Sequence, residues 1–155
     1  MSPKVSLAPL SSLRVSKHQI PAHSLVPNTS IQHKPLLIYH SAFEPSTAAT
    51  PCTARIISTA LPTKVLCISG GRAKLCFGGE DNDGRVEPVV EKGDVVIVPA
   101  ESATGCWRTR VGGFEMVGSY PTGFSWDMCY GKKGEENKVK GIEKLAWFGQ
   151  GSHLR

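Results

Sequence analysis

The side chains able to do chemistry are few and scattered. Histidine stands at His18, His23, His33, His40 and His153, and cysteine at Cys52, Cys67, Cys76, Cys106 and Cys129. Zinc and iron sites draw such ligands in close pairs, because two side chains reach one ion readily from neighbouring positions on one face. No two of these histidines are at i, i+2 or i, i+4, and no two cysteines have C-x-x-C spacing. His18 and His23 are five apart in a proline-bounded stretch, which is not a ligand signature. His40 is the best placed, closing an apolar run of strand length, where a histidine ordinarily serves as a hydrogen-bonded or surface residue. A thiolate at Cys106 would suit a soft metal, yet it has no partner ligands and reads as a core cysteine. Cys67 and Cys76 lie inside apolar strand-like runs and read as small core residues of a reducing compartment. No glycine-rich phosphate loop, nucleophile elbow or paired-carboxylate signature points to another enzyme class.

One lysine stands apart. In the run Lys64-Val-Leu-Cys-Ile-Ser69, strand alternation puts Lys64 on the same face as Leu66 and Ile68. A lysine on an apolar face either carries its ammonium out to water or is held inside with a lowered pKa. In the second case its neutral amine can act as a general base or form a Schiff base.

The elements that would position these residues are mostly strands. Residues 1–34 are broken by Pro3, Pro9, Pro21 and Pro27 and read as an arm or tail. Pro35–Tyr39 is a short strand, 44–60 a poorly ordered loop region with a weak strand at Ala54–Ser58. Lys64–Ser69 and Arg72–Phe77 flank Gly70-Gly71, which predicts a two-residue hairpin. Ala73, Leu75 and Phe77 should face inward, opposite Arg72 and Lys74. Gly78–Gly84 is an acidic, glycine-rich turn, Val86–Val90 a strand, and Lys92-Gly93-Asp94 a turn leading into Val95–Val98, which Pro99 stops. Cys106–Arg110 and Phe114–Ser119 make two more strands around Gly112-Gly113. Short strands with frequent turns predict an all-β antiparallel sandwich or barrel. Near the C-terminus Val139, Ile142 and Leu145 recur at threes, with Glu135 and Glu136 before them and Lys138, Lys140 and Lys144 within or after, predicting a short helix or turns.

The chain has 155 residues, which suits one domain, and 27 of them are glycine or proline (16 Gly, 11 Pro), too many for a helical bundle. Its net charge of +5 is uneven. Lys4, Arg14, Lys17, Lys34 and Arg55 face only Glu44 in the first 62 residues, whereas later basic residues alternate with acids. That alternation reads as a mixed solvated surface and not a nucleic-acid stripe. No long uncharged apolar stretch predicts a membrane span. A cytoplasmic protein is expected, although the acid-free, serine-rich start also has the composition of an organellar presequence.

Three strings carry a resemblance: KVLCISGGRAKLCFGGE from Lys64, VEKGDVVIVPA ending at Ala100, and GGFEMVGSYPTGFSWDMCYGKKGE from Gly112. Together they resemble the small single-domain cupins of the RmlC-like type, fungal-type relatives of an uncharacterised bacterial member. The upstream IPAHSLVPNTSIQHKPLLIYHSAF is similar to that family's N-terminal arm. The resemblance implies a jelly-roll barrel in a cupin-like domain of residues 35–148, with the core barrel at about 62–122 and a tail at 149–155. Metal-binding cupins hold a divalent ion with three histidines and a glutamate. Here the glutamate position is Lys64, the paired histidine positions are Ile57 and Thr59, and the last histidine position is Thr104. The resemblance therefore implies a barrel with no metal and no other cofactor.

In that barrel Lys64, Leu66, Ile68, Thr104, Cys106, Trp126 and Tyr130 are the expected ligand-binding residues, with Lys64 the candidate catalytic group. Asp127 reads as a turn carboxylate and Glu101 as a solvated one. The expected function is binding of a small, acidic organic molecule, as in an isomerase or cyclase of a biosynthetic pathway. The alternatives are a metal-dependent oxidoreductase or dioxygenase with a relocated site, and a non-catalytic binding module that forms a homodimer. The expected partner is a small-molecule ligand, with neither nucleic acid nor membrane.

Overall fold

The computed structural model describes residues 6–29, 34–44, 64–99, 102, 109–119 and 133–143. The described chain is built on antiparallel strands: β1 Ser6–Leu7, β2 Arg14–His18, β3 Leu36–His40, β4 Phe43–Glu44, β5 Lys64–Lys74, β6 Val89–Glu91, β7 Val95–Val98 and β8 Thr109–Ser119. A single 3-10 turn at Leu10–Ser12 precedes β2, and a short helix, α1 Glu136–Glu143, follows the strands. β1 and β4 form a two-stranded ribbon. The other strands form one sheet in the order β2-β3-β7-β5, with β6 on the same side of β5 as β7 and β8 along its other side. Among the described strands the sheet does not close on itself.

The long strand β5 organises this sheet. Its first half, Lys64–Cys67, pairs with β7, and its second half, Arg72–Lys74, pairs with β6, while β8 follows both halves. The expected hairpin at Gly70-Gly71 is not formed; the strand runs through the two glycines. A tight two-residue hairpin of the commonest kind needs positive φ at both central residues. Here only Gly71 of the pair has one, at 62°. Gly112 and Gly113, with φ of 69° and 65°, lie across from it in β8, and the register slips on either side of Gly70. Two glycine pairs thus face each other as bulges, and the paired strands bend together instead of reversing. The same glycines lie within β8, which runs through from residues 109–110 of the expected strand Cys106–Arg110 to the expected strand Phe114–Ser119; residues 106–108 lie outside the described residues.

The bend brings both halves of β5 onto one core. Leu66 and Ile68 before it cluster with Ala73, Leu75 and Phe77 after it, and with Leu36, Ile38, Val90, Val96 and Val98. The inward face expected for Ala73, Leu75 and Phe77 is the one observed. A smaller cluster, Phe43 and Cys67 with Ala42, Val65 and Val95 against it, packs behind the sheet.

The sheet also begins earlier than the expected core at 62–122, because β2 and β3 belong to it. The proline-punctuated start is bound into the fold. Ile20, Asn28 and Thr29 are fully buried. The Thr29 hydroxyl accepts the Ile20 N–H at 2.7 Å. Asn28 Nδ2 donates to the carbonyls of Pro21 (2.8 Å) and Gly78 (3.3 Å), and Asn82 Nδ2 donates to the same two at 3.2 and 3.0 Å. Two side-chain amides thereby clasp two carbonyls and fix the N-terminal segment on the Gly78–Gly84 turn. The weak strand Ala54–Ser58 and the loop at 45–60 lie outside the described residues.

Candidate functional site

The register sets out the core-facing side of the sheet in rows. Across the end remote from the glycine bend run His18, Leu36, Val98 and Lys64, and across the next row Ser16, Ile38, Val96, Leu66 and Gly118. Side chains at directly opposed positions of neighbouring strands share a face. Lys64 therefore lies on the side that carries Leu66 and Ile68, as strand alternation predicts, at the end of the sheet away from the bend. Leu66 and Ile68 are fully buried and Lys64 is half-buried. The lysine stem leans over β8, where a side chain at Gly118 would come within 3.9 Å of Lys64 Cε and 3.4 Å of Leu66 Cδ2. Both are ordinary van der Waals distances.

Withdrawal from water pushes the Lys64 ammonium below its ordinary pKa of 10.5. The unfolded chain keeps the ordinary value, so between the two values it binds more protons than the folded chain, and stability rises with pH across that window. The penalty is carried while the folded-state ammonium stays charged and is lost as pH rises through its lowered pKa. Lys64→Met should raise the melting temperature at pH 7, by about 2–4 °C for each kcal/mol of desolvation relieved. It should also flatten the alkaline rise in stability. Melting curves of both proteins from pH 7 to 10.5 check this; parallel pH profiles would place the ammonium in water.

Of the other expected ligand-binding residues, Thr104, Cys106, Trp126 and Tyr130 lie outside the described residues, as do Ile57, Thr59, Glu101 and Asp127. No three His, Cys, Asp or Glu side chains converge among the described residues. At the position where the resemblance puts a carboxylate ligand, Lys64 presents a cation, which repels a divalent ion, so the residues present do not fit the metal of metal-binding cupins. Cys67 and Cys76 are buried, and burial pushes the Cys67 thiol up to about 12. That thiol is inert, in keeping with a core role.

His40 is not the isolated strand-end residue that its sequence setting suggests. One position beyond the last paired residues of β3 and β7 it faces Asp94, with Nδ1 3.8 Å from Oδ2. Asp94 is only 1% exposed and closes the Lys-Gly-Asp turn, accepting the Ser41 N–H at 2.9 Å on Oδ1 and the Glu91 N–H at 3.0 Å on Oδ2. On its other side His40 Nε2 is 2.7 Å from Ser16 Oγ. Nothing local in the sequence joins Ser16 to a residue 24 positions on; only the pairing of β2 with β3 does.

Comparison with known proteins adds no relative to this picture: no protein-family model matches the chain, and neither a curated protein nor a solved structure matches it.

Proposed function

We propose that the chain is a metal-free, cupin-like jelly roll that binds a small organic acid against the core face of its curled sheet. In this reading Lys64 is the cationic anchor, while Leu66 and Ile68, expected to touch the ligand, are fully buried in the core and serve to hold the strand that carries it. The observation that carries it is the half-buried ammonium of Lys64 at the end of an apolar face. A cation partly removed from water gains most from an anionic partner, because charge interactions strengthen as the surroundings dry. A lowered pKa also makes the neutral amine more available than in a free lysine, which suits the proton transfers of an isomerase or cyclase. The antiparallel sheet bent at paired glycines, and the Lys-Gly-Asp turn leading into β7, support the jelly-roll part of the proposal.

The test is binding of benzoate and of its neutral analogue benzamide, by calorimetry, to the natural protein, Lys64→Met and Lys64→Glu. Benzoate should bind the natural protein at least tenfold more tightly than benzamide does, and both substitutions should abolish that preference while the fold persists. Equal affinities for the two compounds, or a preference kept by Lys64→Met, would overturn the reading.

A further inference from the structure

Ser16 on β2, His40 on β3 and Asp94 in the turn just before β7 meet on the core-facing side of the sheet, away from Lys64. We propose that they form a nucleophilic serine site acting on small carboxylic esters, an activity independent of the ligand reading above. Three observations carry this. The serine hydroxyl and the imidazole are at hydrogen-bond distance, 2.7 Å from Oγ to Nε2. The far nitrogen of the same ring faces a carboxylate that is almost fully buried and fixed by two backbone N–H groups. The 3.8 Å between Nδ1 and Oδ2 exceeds a hydrogen bond, as catalytic contacts commonly do before substrate binds. Finally, β2 is the sheet's edge among the described strands, Ser16 is half-buried and the His40 side chain is 17% exposed, so a small ester can reach the hydroxyl.

The roles follow from position. Asp94 is a positioning residue: as an acceptor beside Nδ1 it favours the tautomer with the proton on Nδ1, which leaves the Nε2 lone pair toward Ser16. Ser16 Oγ attacks the ester carbonyl carbon as its proton passes to His40 Nε2. The bond to the alcohol oxygen then breaks, and the departing oxygen takes the proton from Nε2 to leave as the free alcohol. Water attacks the acyl-serine, giving one proton to Nε2; the carboxylic acid leaves, and the proton returns to Ser16 Oγ. No oxidant or metal enters the balance. Arg14 stands directly across from His40 in the strand register.

The alternative is a static tie in which His40 donates from Nε2 to Ser16, and the two are separable. Nitrogen-15 spectra of the imidazole in the full chain at pH 8 should show His40 protonated on Nδ1; protonation on Nε2 overturns the proposal. A fluorophosphonate probe should add once to the chain, on the peptide that contains Ser16. p-Nitrophenyl acetate should release nitrophenolate at a rate that falls at least a hundredfold in Ser16→Ala and in His40→Gln. Ser16→Ala removes one atom from a half-buried edge position, so its fold should survive, and circular dichroism checks that. No adduct, an adduct elsewhere, or unchanged hydrolysis by folded Ser16→Ala overturns the proposal.

Discussion

Gly71→Ala should destabilise the protein by about 3–5 kcal/mol, whereas Gly113→Ala, at nearly the same backbone angle, should cost about 1 kcal/mol. Both glycines have positive φ, 62° and 65°, so both substitutions carry the strain of an L-residue in the left-handed region. They differ in space. A Cβ at Gly71 would lie 2.5 Å from the Phe114 nitrogen, 2.6 Å from its Cα and 2.6 Å from the Val111 carbonyl oxygen, all backbone atoms that cannot rotate away. A Cβ at Gly113 meets nothing within 4 Å among the described residues. The extra cost is that of forcing β5 and β8 apart where both bend. With total stabilities of about 5–15 kcal/mol, the Gly71 variant should lose a large part of its margin. Urea denaturation of the two variants measures the difference. Equal losses would mean that the facing glycine bulges do not hold the bend.

The amide clasp should give the second large effect. Asn28→Ala should cost about 2–4 kcal/mol, from lost hydrogen bonds in a buried site and from alanine at the φ of 53° that asparagine tolerates. Asn82→Ala should cost about 2–3 kcal/mol, since Asn82 Oδ1 also accepts the Gly84 N–H at 2.9 Å. In either single variant each carbonyl, of Pro21 and of Gly78, keeps the other amide as a donor. In the double variant both carbonyls lose both amide donors. Its cost should therefore exceed the sum of the single costs by about 1 kcal/mol or more. Simple additivity in a double-mutant cycle would show that each asparagine acts alone.

These two predictions rest on features that the sequence displays unequally. β3 and β7 were legible because Leu36–His40 and Val95–Val98 are apolar runs ended by turns, and the face of Ala73, Leu75 and Phe77 followed from alternation. The glycine pairs misled because the same local signal serves a hairpin and a bulge, and only the partner strand decides between them. β2 was hidden for a different reason. Arg14, Ser16 and His18 are the residues it turns toward the core side, while Val15, on the other side, is exposed, so its alternation runs opposite to an ordinary half-buried strand. The Lys64 face was readable from parity alone. The meeting of Ser16, His40 and Asp94 depends on the register of three strands distant in sequence, which no local pattern contains.

The proposed function requires that the Lys64 ammonium, on the apolar face of β5, receive an organic anion. The most direct measurement is on the ammonium itself, by carbon-13 spectra of protein whose lysines carry labelled methyl groups, assigned by comparison with Lys64→Met. Addition of benzoate should shift the Lys64 signal in a saturable way and raise its titration midpoint toward the ordinary lysine value, because a bound carboxylate favours the charged amine. Benzamide should do neither. A Lys64 signal that ignores benzoate throughout the titration, or moves equally with both compounds, would contradict the account.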